Sequence, residues 1–232
     1  MSIEINIKNI QNRIKSACEK SQRDPGSVKI VAVTKTVSTE KIGEAIKAGI
    51  TDIGENRVQE AWQKFQVIGN RVKWHLIGHL QTNKVNRALQ FVDIIHSIDS
   101  LRLAEEIQQQ AQKVKKKIDV LIQVNTSREA SKFGIAPEET TDLVDKIAKL
   151  SNLNIKGLMT IGTFTSNKDE IRMCFRKLRN LRDSFTEQRF KGVYMDELSM
   201  GMTNDFEIAI EEGATLVRLG RLIFGERYQS II

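Results

Sequence analysis

Eight times along this chain a short apolar run gives way to a polar residue and then to a stretch whose apolar positions keep helical spacing. The runs are Lys29–Val33, Asp52–Gly54, Lys73–Ile77, Val92–His96, Ile118–Val124, Ile155–Met159, Met195–Leu198 and Leu216–Leu219. Aliphatic, β-branched runs of this length read as buried strands. The intervening stretches predict helices from Ser38 to Ala48, through Val58, Ala61, Trp62 and Phe65, and around Lys84–Leu89. Further helices are predicted from Leu101 to about Lys115, over Pro137–Leu150, Asp169–Phe185 and Asn204–Glu211, before a terminal segment with Ile223 and Phe224. A first helix over 3–20 precedes them all, with Ile3, Ile7, Ile10, Ile14 and Cys18 on one stripe.

Strands that alternate with helices imply parallel pairing and right-handed crossovers. Eight such units in 232 residues predict an α/β fold, a single (β/α)8 TIM barrel with an extra N-terminal helix, residues 1–232 making one domain. An open doubly wound sheet competes with it, but no GxGxxG follows the first strand, so the dinucleotide fingerprint is missing.

Aromatic residues make up only 6% of the chain, so the core is expected to be aliphatic. Cys18 and Cys174 lie far apart without CxxC spacing and read as reduced thiols of a cytoplasmic protein. The N-terminus lacks a signal-peptide core, and no apolar run approaches membrane length. The net charge of +7 permits nucleic-acid binding without pointing to it. One basic stretch is Lys113–Lys117; the other, with Arg172, Arg176, Lys177, Arg179 and Arg182, lies opposite an apolar face of Ile171, Phe175, Leu178, Leu181 and Phe185. Neither interleaves aromatics for base stacking, so a solvated outer face and no nucleic-acid partner are expected. No interface stretch stands out, which favours a monomer.

Lys35, Asn56, His79, Ser97, Asn125, Thr160 and Ser199 fall at or just beyond strand ends, with Arg218 close by. A barrel gathers such positions at one mouth, where these folds hold their sites. Lys35 carries the chemistry. An ammonium directly after an apolar strand either bends out to solvent or is desolvated, with a lowered pKa suited to forming a Schiff base with a carbonyl compound.

Two glycine turns near the C-terminus complete the pattern. In Ser199-Met200-Gly201-Met202-Thr203-Asn204-Asp205, hydroxyls and a close-turning glycine precede a helix N-terminus, a combination that suits a phosphate dianion. The plainer alternative is an ordinary turn with Thr203 as N-cap. In Val217-Arg218-Leu219-Gly220-Arg221 the turn at Gly220 frees backbone donors and Arg221 adds charge. These are the loops after the seventh and eighth strands, where barrels often bind phosphate. Strand alternation points Arg218 inward, where it needs an acceptor: a pyridine nitrogen, or a carboxylate such as Glu55 or Glu197. A lysine at the first strand, a phosphate cradle at the last two and an arginine between them describe a site for pyridoxal 5'-phosphate. Lys35 would form the imine, Ser199 to Thr203 with Gly220 and Arg221 would hold the phosphate, and Arg218 would meet the ring nitrogen. No metal site is read.

The segments VAVTKT, IGENRVQE, WHLIGHLQTNK, LSMGMTNDFEIAI and VRLGRLIFGER, running in order from Lys29 to Arg227, resemble the motif series of the pyridoxal phosphate homeostasis proteins. The resemblance implies a barrel like the N-terminal domain of alanine racemase, pyridoxal phosphate on Lys35, and no established turnover. Carried over by position, Asn56 and Met202 join the cofactor pocket. After Gly220 the family often has a small hydroxyl residue, where this chain has Arg221. The implied role is to hold and deliver the cofactor within its cellular balance, with pyridoxal-phosphate-dependent apoenzymes as partners.

The alternative is an amino-acid racemase. Racemisation needs a carbanion sink and a second, opposed acid/base group. An arginine at the pyridine nitrogen leaves that nitrogen largely unprotonated and weakens the sink. Alanine racemase takes its opposing tyrosine from a further domain and a partner subunit. This chain ends at Ile232, so no such domain is expected, and Tyr194 and Tyr228 have no evident route to that role. His79 could exchange protons in principle, although a lone histidine at a barrel mouth is more often structural. A carrier without catalytic residues is therefore expected.

Overall fold

The computed structural model describes residues 2–129, 131–186 and 192–226. Its first element, α1 (Ile3–Lys20), buries Ile3, Ile7, Ile10, Ile14 and Cys18, the stripe its periodicity predicts, and Ser2 caps it by accepting from the Ile5 N–H. The eight strands follow as β1 (Lys29–Val33), β2 (Asp52–Glu55), β3 (Lys73–Leu76), β4 (Ile94–Ile98), β5 (Ile118–Gln123), β6 (Leu153–Met159), β7 (Val193–Ser199) and β8 (Leu216–Leu219). Between and after them lie α2 (Thr39–Lys47), α3 (Val58–Ile68), α4 (Val85–Ala88), α5 (Leu101–Lys113), α6 (Thr140–Ile147), α7 (Lys168–Thr186), α8 (Phe206–Glu211) and α9 (Arg221–Phe224). Each strand pairs in parallel with the next, and β8 pairs with β1 through Lys29–Leu216 to Ala32–Leu219, closing the barrel. The expected α/β barrel with an added N-terminal helix is the observed architecture.

Several boundaries differ from the sequence-based expectation; β6 and β7 each begin two residues earlier, at Leu153 and Val193, and β7 runs through Ser199. β4 begins two residues later than predicted, because the Val92 N–H is claimed by the Ala88 carbonyl at the end of α4. Ser97 therefore lies inside the strand, buried, instead of beyond it. The helix expected over Pro137–Leu150 starts with a 3-10 turn, Pro137–Glu139, and ends at Ile147. α8 starts at Phe206 with Asp205 as its N-cap, so Thr203 does not cap it.

The core has two parts. The larger lies between sheet and helices and includes Ile42, Ile53, Trp74, Ile107, Phe175 and Phe206. Each such side chain stabilises the fold by about 1.5–3 kcal/mol when fully buried. Inside the barrel sits a small apolar cluster of Val31, Ile94, Leu121, Met159 and Leu216. The remaining interior space is polar, which is unusual for a packed barrel core and bears on the site.

α1 and the turn after it tie down α8 and α9. The Asn6 side-chain amide donates to the Ile223 carbonyl of α9 (3.0 Å), Arg13 pairs with Glu207 of α8 (2.6 Å), and Arg23 donates to the Ile210 carbonyl (2.6 Å). The basic face of α7 is less free than its sequence suggests. Arg172, Arg176 and Arg179 all pair with the buried Glu212 at 2.9–3.0 Å. Burial pushes the Glu212 carboxyl up, but the bonds from Arg176 and Arg172 outweigh it and hold it below its ordinary value. Among the described residues, no helix is long and apolar enough to cross a membrane.

Candidate functional site

A cavity of about 770 Å³ opens where β1, β6, β7 and β8 end. Its lining includes Lys35, Met202, Thr203, Arg218, Gly220 and Arg221, residues that the sequence placed in one site from three separate segments. Lys132 and Lys168 join them, while Asp205 is the one carboxylate of the lining among the described residues. Such an excess of cations favours an anionic occupant.

Lys35 is half-buried just past β1. The backbone on either side of it is fixed by three charged residues. Thr34 donates its hydroxyl to Glu55 (2.7 Å), and its carbonyl accepts from Lys64 (2.6 Å). The Thr36 N–H donates to Glu60 (2.5 Å), and Lys64 binds both Glu55 (2.6 Å) and Glu60 (2.7 Å). Thr36 itself has φ +60°, a left-handed conformation that costs a non-glycine residue about 1–3 kcal/mol and persists where its surroundings impose it. Burial raises the Glu55 carboxyl, against the pull of Lys64 and Thr34, and its Oε2 finds no partner among the described residues.

Arg218 is buried and reaches the cavity from the middle of β8. One terminal nitrogen donates to Ser199 Oγ (2.6 Å), the other to the Thr160 carbonyl (2.7 Å). Neither carboxylate considered from the sequence serves it: Glu55 binds Lys64 and Thr34, and Glu197 binds Thr215 and faces Lys29 at 3.5 Å. Burial pulls the guanidinium down to about 10, opposed by the charge of Asp205, which leaves it cationic at neutral pH.

The turn after β7 is shaped by Gly201 and Asp205. Gly201 has φ +91°, and a Cβ there would lie 2.5 Å from the Ala209 Cβ, so only glycine lets the turn rest on α8. The Asp205 carboxylate accepts from the Met202 N–H (2.5 Å). Burial raises this carboxyl, against the pull of that N–H and of Arg218. The Thr203 and Asn204 amides make no hydrogen bond among the described residues and lie in segments that line the cavity. Unsatisfied amides beside the Arg221 guanidinium and the Gly220 turn match the chemistry of a phosphate.

Three of the residues predicted to bind the cofactor stand apart from the lining, as do His79, Ser97, Asn125 and Thr160 of the predicted mouth. Ser199 sits beneath Arg218, its hydroxyl also 2.9 Å from His96 Nδ1, so it meets the cavity through the arginine. Gly201 forms the turn and gives its carbonyl to the Arg218 N–H (3.0 Å). Asn56 is half-buried after β2, packed so closely on the next loop that a Cβ at Gly78 would lie 2.4 Å from its carbonyl oxygen. His79 stacks on Phe133 (4.3 Å between centroids) with Nδ1 3.8 Å from Asp99, outside the lining. Tyr228 lies outside the described residues.

The sequence reading missed Lys132, Lys168 and the run Thr163–Ser166, which also line the cavity. The run lies in the loop after β6, four residues past its end, so the loop position gave a signal for it. Lys132 had none: it sits in a long loop and is brought in by bonds to Glu129 (2.7 Å) and to the Gly162 carbonyl (2.7 Å).

The model of the alanine racemase N-terminal domain family matches residues 5–228. The pyridoxal phosphate homeostasis protein of Aquifex aeolicus is 45% identical over 94% of this chain and 95% of its own length. The chain belongs to the pyridoxal phosphate homeostasis family. PipY of Synechococcus elongatus, solved with pyridoxal phosphate bound, is 33% identical and superposes with a TM-score of 0.81 over 93% of this chain and 100% of that one. An alanine racemase of Clostridium difficile shares the barrel, with a TM-score of 0.78 over 100% of this chain and 58% of that chain; at 15% identity the likeness concerns the fold alone. Membership of the homeostasis family fits the cavity described, in which lysine amines, one buried guanidinium and two unsatisfied amides surround a single space.

Proposed function

We propose that this protein binds pyridoxal 5'-phosphate and serves its cellular balance by holding and delivering it, without catalytic turnover. The observation that carries the reading is the meeting of Lys35, Arg218, Gly220, Arg221 and the Met202–Asp205 turn in one cation-rich cavity. In it, the Lys35 amine would hold the aldehyde, Arg218 would meet the ring nitrogen, and the Thr203 turn with Gly220 and Arg221 would hold the phosphate. The naming of the relatives and the cofactor bound to PipY support it. The bound cofactor supplies an aldehyde that an amine captures reversibly and a ring able to withdraw electrons.

Two features favour a carrier over a racemase. Arg218 is a permanent cation at neutral pH, so the pyridine nitrogen opposite it stays unprotonated and the ring is a weak electron sink. Among the described residues, no tyrosine or histidine lines the cavity to act as an opposed acid/base. Pyridoxal-phosphate-dependent apoenzymes are the recipients this role implies. A cytoplasmic monomer is the form we assign, in keeping with two free, buried cysteines.

Borohydride reduction of the cofactor-loaded protein, followed by peptide mapping, is expected to place the adduct on Lys35, and Lys35→Ala is expected to lose the imine absorbance while keeping its fold. An adduct elsewhere, or none, overturns the binding mode. Incubation with L-amino acids in deuterated water tests the second half: α-proton exchange well above that of free cofactor would make the protein an enzyme.

A further inference from the structure

Behind Arg218 the polar interior of the barrel forms one continuous line of side chains. Ser199 Oγ lies 2.9 Å from His96 Nδ1, His96 Nε2 lies 2.8 Å from His75 Nδ1, and His75 Nε2 lies 2.9 Å from Asp52 Oδ1. Thr51 closes the line by donating to Asp52 Oδ2 (2.6 Å). All four links from Asp52 to Arg218 are buried, with His96 and Ser199 at 0% exposure. Asp52 opens β2 and Ser199 ends β7, so the line crosses the barrel from its N-terminal end to the cavity.

The chemistry of the ends sets the direction of the protons. Burial pushes the Asp52 carboxyl up, but bonds from His75 and Thr51 outweigh it and hold it below its ordinary value; it accepts. Burial, with the charges of His75 and Arg218, pushes His96 well below its ordinary value, so it is neutral and carries one N–H. Arg218 only donates. One arrangement gives every group a partner with both imidazoles neutral: Arg218 donates to Ser199, Ser199 to His96 Nδ1, His96 Nε2–H to His75 Nδ1, and His75 Nε2–H to Asp52. In the reverse arrangement both His96 and Arg218 donate to Ser199, and its hydroxyl hydrogen has no acceptor among the described residues. That costs the desolvation of an unpaired buried group.

We propose that Asp52, His75 and His96 are positioning residues for Arg218, imposing one direction of donation in which the Ser199 hydroxyl hydrogen goes to His96 and its oxygen accepts from the guanidinium alone. The proposal rests on the cofactor reading above. Asp52 thus acts on a ring it never touches, through four hydrogen bonds and an arginine.

The test uses the full chain with ¹⁵N-labelled histidine, whose three residues are assigned by single replacement. With or without pyridoxal phosphate, His75 and His96 should both be neutral with hydrogen on Nε2. Hydrogen on His96 Nδ1, or a charged His75, overturns the proposal. Asp52→Leu removes the terminal acceptor and should move both hydrogens to Nδ1, weaken cofactor retention about tenfold and displace the imine absorbance maximum. Asp52→Asn, whose amide oxygen still accepts, should restore all three. Retention and absorbance in Asp52→Leu equal to the parent protein would overturn positioning while leaving cofactor binding intact. Failure of the parent protein to form an imine would instead overturn the cofactor reading, and the histidine shifts would separate the two results.

Discussion

The Thr36 N–H donates to the Glu60 carboxylate at 2.5 Å, one residue beyond Lys35 and with Thr36 in a left-handed conformation. A backbone that would relax on its own is thereby held in the one shape that brings the lysine to the cavity. Glu60→Ala removes the acceptor and should lower stability by about 1.5–3 kcal/mol, the worth of a charged hydrogen bond. Imine formation should slow with it. Glu60→Gln, which still accepts from Thr36, should recover most of the binding rate. Denaturant titration and stopped-flow absorbance measure the two effects.

The two carboxylates that share Lys64 should respond to pH with opposite sign. Burial pushes Glu60 up, but Lys64 and the Thr36 N–H outweigh it, so its folded value lies below the ordinary one. Its contribution is present above the unfolded pKa and is lost as pH falls through the folded value. Glu55 is raised by burial, so its contribution is present below the unfolded pKa and is lost as pH rises through the folded value. Thermal melts from pH 3 to 8 should therefore show the loss below the ordinary carboxylate range reduced in Glu60→Gln and the loss above that range reduced in Glu55→Gln.

Gly201→Ala should be costly at the site and in the fold. The added methyl meets Ala209 at 2.5 Å, and φ +91° is strained for alanine. We expect about 1–3 kcal/mol of destabilisation and weaker cofactor retention, since the Gly201 carbonyl also receives the Arg218 N–H. Gly201→Ala combined with Ala209→Gly relieves the contact but not the backbone strain, so it should recover only part of the loss in a thermal melt.

Arg221→Ala should weaken cofactor retention less than Ser199→Ala with Thr203→Ala. The Arg221 side chain is 49% exposed, and solvent screens its charge. Ser199 is fully buried and supports Arg218, while Thr203 lines the cavity. Dialysis of the loaded proteins, followed by absorbance, ranks the variants; equal losses would mean that the phosphate sits elsewhere.

The barrel was legible in the sequence because periodicity is a local property. Each strand announces itself by four to seven mostly apolar residues and each helix by its stripe, and eight repeats leave few ways to pair. Lys35, Thr203 and Arg221 were legible for the same reason: a residue just past a strand lies at the mouth whatever the loops do. What only the tertiary structure decided is which side chains meet across strands. His75 and His96 look like two unremarkable positions in separate strands, and Asp52 like the polar start of a third. Register and inward facing bring them into line with Ser199 and Arg218. Distance across a closed sheet depends on pairing register and strand twist, which no local pattern encodes. The chain alone therefore placed Lys35 at the barrel mouth, and folding alone settled what supports Arg218.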